Sequence, residues 1–303
     1  MPAIGNTPLI RLEKLTGPDS AEVLVKFEGA NPTGSMKDRM ALSMILGAER
    51  SGLLKPGDRV VDSTGGSTGS SLAMVCATRG YQSYFVSSDA FSAEKLRTMR
   101  AFGATLEILP SEGGKMTRQL SEAMIERARE LSREPNTFWT NQFNNPDNRK
   151  GYHDMAREML AQAGGPVDVF VQSVGTGGSF SGNAEILKQE LPRIRCIALE
   201  PDKVRALSGG DTSGAHKIEG IGSGFIPSIC RIDLADEIMQ VADEDAFATA
   251  RLLAKREGIF GGTSSGANVW AALQLARQLG PGKRIVTIIC DSGLKYVNGE
   301  LYS

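Results

Sequence analysis

Lys37 lies in "NPTGSMKDR", between a glycine-serine turn and the helix-like run "MALSMILGAER". An amine at such a junction has two readings. It is a solvated surface lysine, or it is a nucleophile whose amine is kept neutral by burial or by a cationic neighbour. Gly34 and Ser35 permit a sharp turn that would aim it inward. An imine also needs a carbonyl. Pyridoxal phosphate offers an aldehyde and brings a phosphate that needs a separate cradle. Asp38 and Arg39, next along the chain, read as helix-start charges.

Two glycine-rich loops could hold anions. In "VDVFVQSVGTGGSFSGNAEIL" a strand ends at Val174, and Gly175-Thr176-Gly177-Gly178-Ser179 opens into a helix. Small residues expose amides at a helix N-terminus, where the dipole also favours negative charge, so a phosphate fits without lysine or arginine. A plain strand-helix turn is the blander reading. A dinucleotide site is a rival: the segment is βαβ, and Glu200 ends the next strand near the ribose-binding position. The third glycine of G-x-G-x-x-G falls on Phe180, however, and there is no Walker A pattern. In "RVVDSTGGSTGSSLA" the loop Thr64-Gly65-Gly66-Ser67-Thr68-Gly69 again precedes a helix, and it would hold a carboxylate or serve as a cap. Two anion sites suggest a phosphorylated cofactor and an acidic substrate. Ser264 and Ser265 in "GIFGGTSSGANVW" start a further helix, where capping alone would explain them.

These loops need a frame that delivers them to one end of a sheet. Apolar runs such as "AEVLVKFE", "RVVDST", "QSYFVSS", "TLEILPS", "VDVFVQSVG", "RCIALEP" and "RIVTIICDSG" alternate with helical patterns. That alternation predicts an α/β fold with mostly parallel sheets. Ligands of such sheets bind at the carboxyl ends of the strands, where three of the glycine clusters fall. The 303 residues exceed the size of most single cores, so two domains are expected. The polar, turn-rich "NQFNNPDNRKG" near mid-chain is the natural boundary, giving domains 1–145 and 146–303.

Composition narrows the function classes. A net charge of -1 argues against nucleic acid or an anionic membrane as the main partner. No apolar run is long enough to span a membrane, and "MPAIGNTPLIRL" lacks a signal pattern, so a cytoplasmic location is expected. Cys76, Cys196, Cys230 and Cys290 form no CxxC motif, and Cys76 and Cys196 read as buried thiols. His153 and His216 show no metal-ligand spacing, and no metal site is expected. The 35 glycines, roughly 12% of the chain against a usual 7%, let backbone amides approach a ligand closely.

Taken together and in order, "GNTPLIRL", "NPTGSMKDR", "QFNNPDN", "VGTGGS", "LSGG", "HKIEGIGSGFIP", "GGTSSGA" and "DSGLKY" resemble the cysteine synthase (O-acetylserine sulfhydrylase) family and its cystathionine β-synthase relatives. These are fold type II, tryptophan-synthase-β-like pyridoxal-phosphate enzymes. The resemblance covers nearly the whole chain. It implies two three-layer αβα domains with mostly parallel twisted sheets, the first carrying Lys37 and a substrate-carboxylate loop, the second the phosphate loop. It implies that Lys37 binds the cofactor as an imine and then acts as the general base. Gly175, Thr176, Gly177, Gly178 and Ser179 would cradle the phosphate, and Ser264 would bond the pyridine nitrogen. Thr64, Gly65, Thr68 and Gln142 would form the carboxylate site, and Gly220 would line its mouth. A neutral serine at the ring nitrogen makes a weaker electron sink than a carboxylate would, which suits β-elimination and replacement.

The implied reaction is β-replacement on an O-activated L-serine through an aminoacrylate, giving L-cysteine or a related β-substituted alanine. "LSGGDTSGAHKIEGIGSGFIP" follows the branch that uses O-acetylserine. Alternatives are O-phosphoserine or serine as donor, an amine nucleophile, or a lyase such as a serine/threonine dehydratase or cysteine desulfhydrase. An oxidoreductase resting on the βαβ unit and a silent ligand-binding relative are more distant alternatives. The partners are thus a small amino acid and a small nucleophile, with a homodimer usual for the family. Two positions depart from the family's T-S-G-N-T-G loop. Ser67 replaces the asparagine that would contact the cofactor, with shorter reach. Gly65 replaces a serine, removing a hydroxyl and making room, which predicts a different or bulkier reactant.

Overall fold

The computed structural model describes residues 3–114 and 117–303, and for Arg118 the backbone only. The chain starts with two strands, β1 (Leu9–Arg11) and β2 (Glu22–Phe27). There follow α1 (Lys37–Arg50), β3 (Arg59–Ser63), α2 (Ser67–Arg79), β4 (Gln82–Ser88), α3 (Ala93–Ala101), β5 (Thr105–Leu109), α4 (Arg118–Leu131), β6 (Thr137–Trp139) and α5 (Pro146–Lys150). The remainder is α6 (His153–Gln162), β7 (Val169–Ser173), α7 (Gly178–Glu190), β8 (Arg195–Pro201), β9 (Glu237–Val241), α8 (Asp243–Leu252), α9 (Thr263–Leu279) and β10 (Arg284–Ile289). A five-residue π-helical stretch, Leu253–Glu257, continues from α8.

The chain divides into two compact units, but not at the expected boundary. Residues up to Met36 join Tyr152–Ser303, and Lys37–Gly151 forms the other unit. The reason is strand pairing. β2 lies parallel to β10 from Glu22 to Phe27, and β1 closes the same edge antiparallel to β2. The sheet order is β1-β2-β10-β7-β8-β9 in one unit and β5-β4-β3-β6 in the other. All pairings except β1–β2 are parallel. A division at 145 would strip the first sheet of two strands. Sequence order alone cannot show that a non-consecutive strand pairs at the far end of the chain.

In the first unit, alternate residues of β7 face opposite ways, as strand geometry requires. Val169 and Val171 join the core that includes Ala267, Val269 and Ala272 of α9. Phe170 stacks on Phe180 of α7, with centroids 6.1 Å apart. Helices therefore cover both faces. In the second unit, Val61 and Val86 meet Met124, Ala128 and Leu131 of α4. The fold is α/β with mostly parallel strands, as expected: the first sheet has one antiparallel edge strand and the second is wholly parallel.

One charge in the second unit is poorly suited to its site. Asp62, near the end of β3, is 2% exposed. Its Oδ1 accepts from Ser63 N at 2.7 Å and from Trp139 Nε1 at 3.4 Å, and its Oδ2 accepts from Thr140 Oγ1. Burial outweighs these bonds and pushes the carboxyl up from 3.8 to about 6. The folded state then holds its proton more tightly than the unfolded chain. Stability is full below about pH 4 and falls by roughly 3 kcal/mol as pH rises through 6. Asp62→Asn keeps the shape, the acceptor for Ser63 N and a partner for Thr140, without the charge. Chemical denaturation from pH 4 to 8 is expected to show the variant gaining on the wild type between pH 4 and 6. Parallel curves would mean that Asp62 carries no such cost.

Candidate active site

The segment before Lys37 is fixed by a buried polar cluster in the first unit. Glu28, fully buried, accepts from Thr7 Oγ1 at 2.6 Å and from Asn31 Nδ2 at 2.7 Å. Asn31 Oδ1 in turn accepts from Gly5 N at 2.9 Å. The motifs "GNTP" and "NPTGS" are thereby one structure. Ser292 N donates to Gly34 O and Met36 N donates to Cys290 O, both at 2.9 Å. The residue preceding Lys37 is thus anchored to the carboxyl end of β10. Lys37 then opens α1 and is partly buried. Asp38 and Arg39 are not solvated helix-start charges, since both are buried, and Asp38 Oδ1 accepts from Ser71 Oγ of α2 at 2.6 Å. No local pattern announces that bond, which joins residues 33 positions apart.

Gly175–Ser179 follows β7 as expected, with α7 starting at Gly178. Two glycines there are dictated by close packing. A Cβ on Gly175 would lie 2.2 Å from Gly220 O. Gly177 has φ +81°, and a Cβ on it would lie 2.4 Å from Cys230 Cβ. The first contact places Gly220 beside the loop. Thr176 Oγ1 accepts from Gly178 N at 3.4 Å. Ser179 Oγ accepts from Gln172 Nε2 at 2.8 Å, which leaves its hydrogen free to point elsewhere. Asn183 Nδ2 donates to Ser179 O at 2.8 Å.

The start of α9 sorts its three hydroxyls. Thr263 Oγ1 accepts from Glu219 N, and Ser265 Oγ accepts from Cys290 N, both at 2.9 Å. Ser264, between them, is 6% exposed, and among the described residues its hydroxyl has no hydrogen-bond partner. Capping therefore explains neither serine: Ser265 ties α9 to the end of β10, and Ser264 is left uncommitted. One turn on, Asn268 is fully buried and bonds in both directions. Its Oδ1 accepts from Ser173 N at 2.7 Å, and its Nδ2 donates to Ile288 O at 2.8 Å. It locks α9 to the ends of β7 and β10. Sequence reasoning missed Asn268; the signal available was an amide at helical spacing, four residues after Ser264.

In the second unit, Thr64, Gly65, Thr68 and Gln142 are all buried. Thr64 Oγ1 accepts from Gly69 N at 3.1 Å and so caps α2 itself. Thr68 Oγ1 donates to Gln142 Oε1 at 2.9 Å, and Gln142 Nε2 reaches Ser63 O at 3.2 Å. Asn148 Nδ2 holds Gln142 O at 2.7 Å, and Asn141, at φ +46°, turns the chain into Gln142. The motif "QFNNPDN" is thus a scaffold for one glutamine. Ser67 is the first residue of α2. Gly65 leaves no room: a Cβ there would lie 1.8 Å from Phe91 Cδ2. The expected gain of space is absent because another side chain occupies it.

The rival readings lose their residues. Glu200 is buried and accepts from Leu207 N at 2.7 Å, Ser208 N at 3.3 Å and Ser208 Oγ at 2.5 Å. Its carboxylate holds the "LSGG" turn, so no ribose hydroxyl is needed to explain it. All four cysteines are buried, and burial pushes the Cys76 and Cys196 thiols up to about 12, far from thiolate reactivity. Among the described residues no group of three His, Cys, Asp or Glu could hold a metal.

The residues present fit pyridoxal phosphate. The loop after β7 is cleared of Cβ atoms, carries hydroxyls and amides, and contains no acidic group to repel a phosphate. A neutral, partnerless hydroxyl on α9 suits a pyridine nitrogen. Comparison with known proteins agrees. Residues 1–291 match the family described as pyridoxal-phosphate dependent enzyme. A cysteine synthase of Staphylococcus aureus is 42% identical over 306 residues, covering 99% of this chain and 95% of that one. The structure of a cysteine synthase (OASS) from Entamoeba histolytica superposes with a TM-score of 0.92 at 36% identity, covering 99% of this chain and 89% of that one. A hydrogen sulfide-producing enzyme from Fusobacterium nucleatum gives a TM-score of 0.90 at 40% identity, covering 97% and 98%. The chain belongs to the family of pyridoxal-phosphate dependent enzymes, with cysteine synthases among its similar relatives.

Proposed function

We propose that this enzyme carries out β-replacement on O-acetyl-L-serine, with sulfide as nucleophile and L-cysteine and acetate as products. The Cβ–O bond breaks, acetate leaves with the electron pair, and a Cβ–S bond forms. When bound, the cofactor supplies an aldehyde for amines and a ring that accepts electrons from Cα. Lys37 holds the cofactor, takes the proton from the substrate Cα and returns it. Gly175–Ser179 binds the phosphate through amides and the hydroxyls of Thr176 and Ser179. Thr68, Gln142 and the amides at the start of α2 bind the substrate carboxylate, with Thr64 shaping the loop by capping it. In this reading Ser67, the first residue of α2, faces the cofactor, and Gly220 lines the mouth of the amino-acid site.

The observation that carries this reading is the partnerless hydroxyl of Ser264 between two committed neighbours. A neutral donor at a ring nitrogen leaves that nitrogen less firmly protonated than a carboxylate would. That favours elimination and addition at Cβ over transamination. The Staphylococcus relative supports cysteine as product. The Fusobacterium relative, a hydrogen sulfide-producing enzyme, supports sulfide release as a second reading; we write it as cysteine and water giving sulfide, ammonia and a keto acid at the same residues. We further propose a homodimer in the cytoplasm. Among the described residues, no helix is long and apolar enough to cross a membrane.

The purified protein is expected to be yellow, to bleach with borohydride, and to form cysteine from O-acetylserine and sulfide faster than any other donor-nucleophile pair. Keto-acid release without added nucleophile as the faster reaction would favour the second reading. Lys37→Ala is expected to abolish turnover and the borohydride-reducible bond; retained turnover would remove Lys37 from its role. Ser264→Ala is expected to lower kcat/KM about three- to tenfold, the worth of one neutral hydrogen bond. Ser265→Ala is expected to lower Tm more than Ser264→Ala does, because it strips the partner from buried Cys290 N. Equal effects of the two serines on both readouts would contradict the assignment.

A further inference from the structure

We propose that Phe91 is a specificity-determining residue: its ring takes the space of a side chain at position 65 and forms an apolar wall of the loop that binds the donor's carboxylate. The proposal rests on the carboxylate role assigned above to the loop Thr64–Gly69. A Cβ on Gly65 would lie 1.8, 2.0 and 2.2 Å from Phe91 Cδ2, Cγ and Cε2. Three ring atoms at such distances mean that no side chain enters at 65 unless the ring leaves. The tightness is local, since a Cβ on neighbouring Gly66 would meet nothing within 4 Å.

The ring has packing partners of its own. Phe91 is half-buried and packs against the cluster of Val61, Val86, Met124, Ala128 and Leu131, drawn from the sheet and α4. The sheet also fixes its approach. β3 and β4 are adjacent and parallel, Thr64 N donates to Val86 O at 2.9 Å, and both loops leave the carboxyl ends of these strands. Phe91 N donates to Ser88 O at 3.3 Å, which turns the second loop back toward the first. Swinging the ring out would open an apolar void, which interiors avoid.

The chemistry follows from what a ring does beside a carboxylate site. It offers no donor that competes for the anion, and it keeps water from one side of the helix N-terminus. Amide-to-carboxylate bonds are stronger where water is excluded. The contact is the same before and during reaction, so its loss raises KM with little change in kcat. The class of ligand selected is a compact α-amino acid with a free carboxylate.

A double-mutant cycle on the holoenzyme tests this, using wild type, Phe91→Ala, Gly65→Ser and the double variant, with Phe91→Leu as a control. KM and kcat for O-acetylserine are measured with cofactor affinity by absorbance titration and Tm. Phe91→Ala is expected to raise KM about tenfold, with kcat within about threefold and cofactor affinity unchanged. Phe91→Leu restores apolar bulk and is expected to recover most of that loss. Gly65→Ser is expected to lose most activity alone and to regain at least about tenfold in kcat/KM when Phe91 is also alanine. An unchanged KM with a lowered Tm in Phe91→Ala, or the same cost of Gly65→Ser in both backgrounds, overturns the proposal. If wild type does not turn over O-acetylserine, the functional reading fails instead. The same cycle is then read from the absorbance change on binding L-serine, where additivity again overturns the wall.

Discussion

The hydrogen bonds of one residue, Cys290, hold the layout of the candidate site in the first unit. Its carbonyl accepts from Met36 N, which fixes the chain immediately before Lys37. Its amide donates to Ser265 Oγ, which seats the start of α9 beside Ser264. Its sulfur receives Asn268 Nδ2 at 3.3 Å, and the same side chain binds the strand that leads into the phosphate loop. Three sequence-distant segments are therefore referred to one strand end. That arrangement needs β2 beside β10, which explains why the N-terminal strands belong with the C-terminal half. A carboxyl-end site of a parallel sheet is general for α/β folds. Here the strand end is ordered by side chains and amides that are committed to one another.

The glycine-rich loops express a second constraint, close approach of backbone to backbone. Gly175 is pressed by Gly220 O, and Gly177 by Cys230. The segment "EGIGSGF" is pulled along the same strand, with Gly222 N donating to Val174 O at 3.1 Å. Small residues in one motif are thus explained by contacts with a segment 45 to 53 residues later in the chain. The hydroxyls divide in the same way. Those that bond backbone amides, Thr64 and Ser265, build the loops. Ser264 and Ser179 retain bonding capacity for something else.

Much of this was legible from residue order. The α/β class followed from alternating apolar runs, and the loops after β3 and β7 fell where strand-to-helix glycine clusters predict. Lys37, Ser264 and Gln142 stood out through the ordered motifs rather than through periodicity. What was not legible depends on distant pairing. The division of the chain rests on β2 meeting β10, and burial of Asp38 rests on Ser71. Glu200 illustrates the opposite error. Its position at a strand end suits a ribose, yet its oxygens are used by the turn at Leu207 and Ser208. A sequence shows which group is available, and only packing shows what has already claimed it.

Gly65 carries the same lesson to specificity. A missing side chain reads as added space when the loop is considered alone. In a close-packed interior, space of that size is filled by whatever lies across it. Phe91 is 26 positions away in sequence but one strand away in the sheet, so parallel pairing of β3 with β4 makes it the neighbour. The exchange is chemical as well as steric, because a polar position on the loop becomes an aromatic surface. On the proposed reading, the carboxylate depends more heavily on backbone amides and on Thr68 and Gln142, which are themselves tied together. A site built this way narrows the donor by shape and dryness, with fewer side-chain hydroxyls engaged. As proposed, the departure from the usual loop changes how the same end of the substrate is held, and Gly65 gives no added space for a larger reactant.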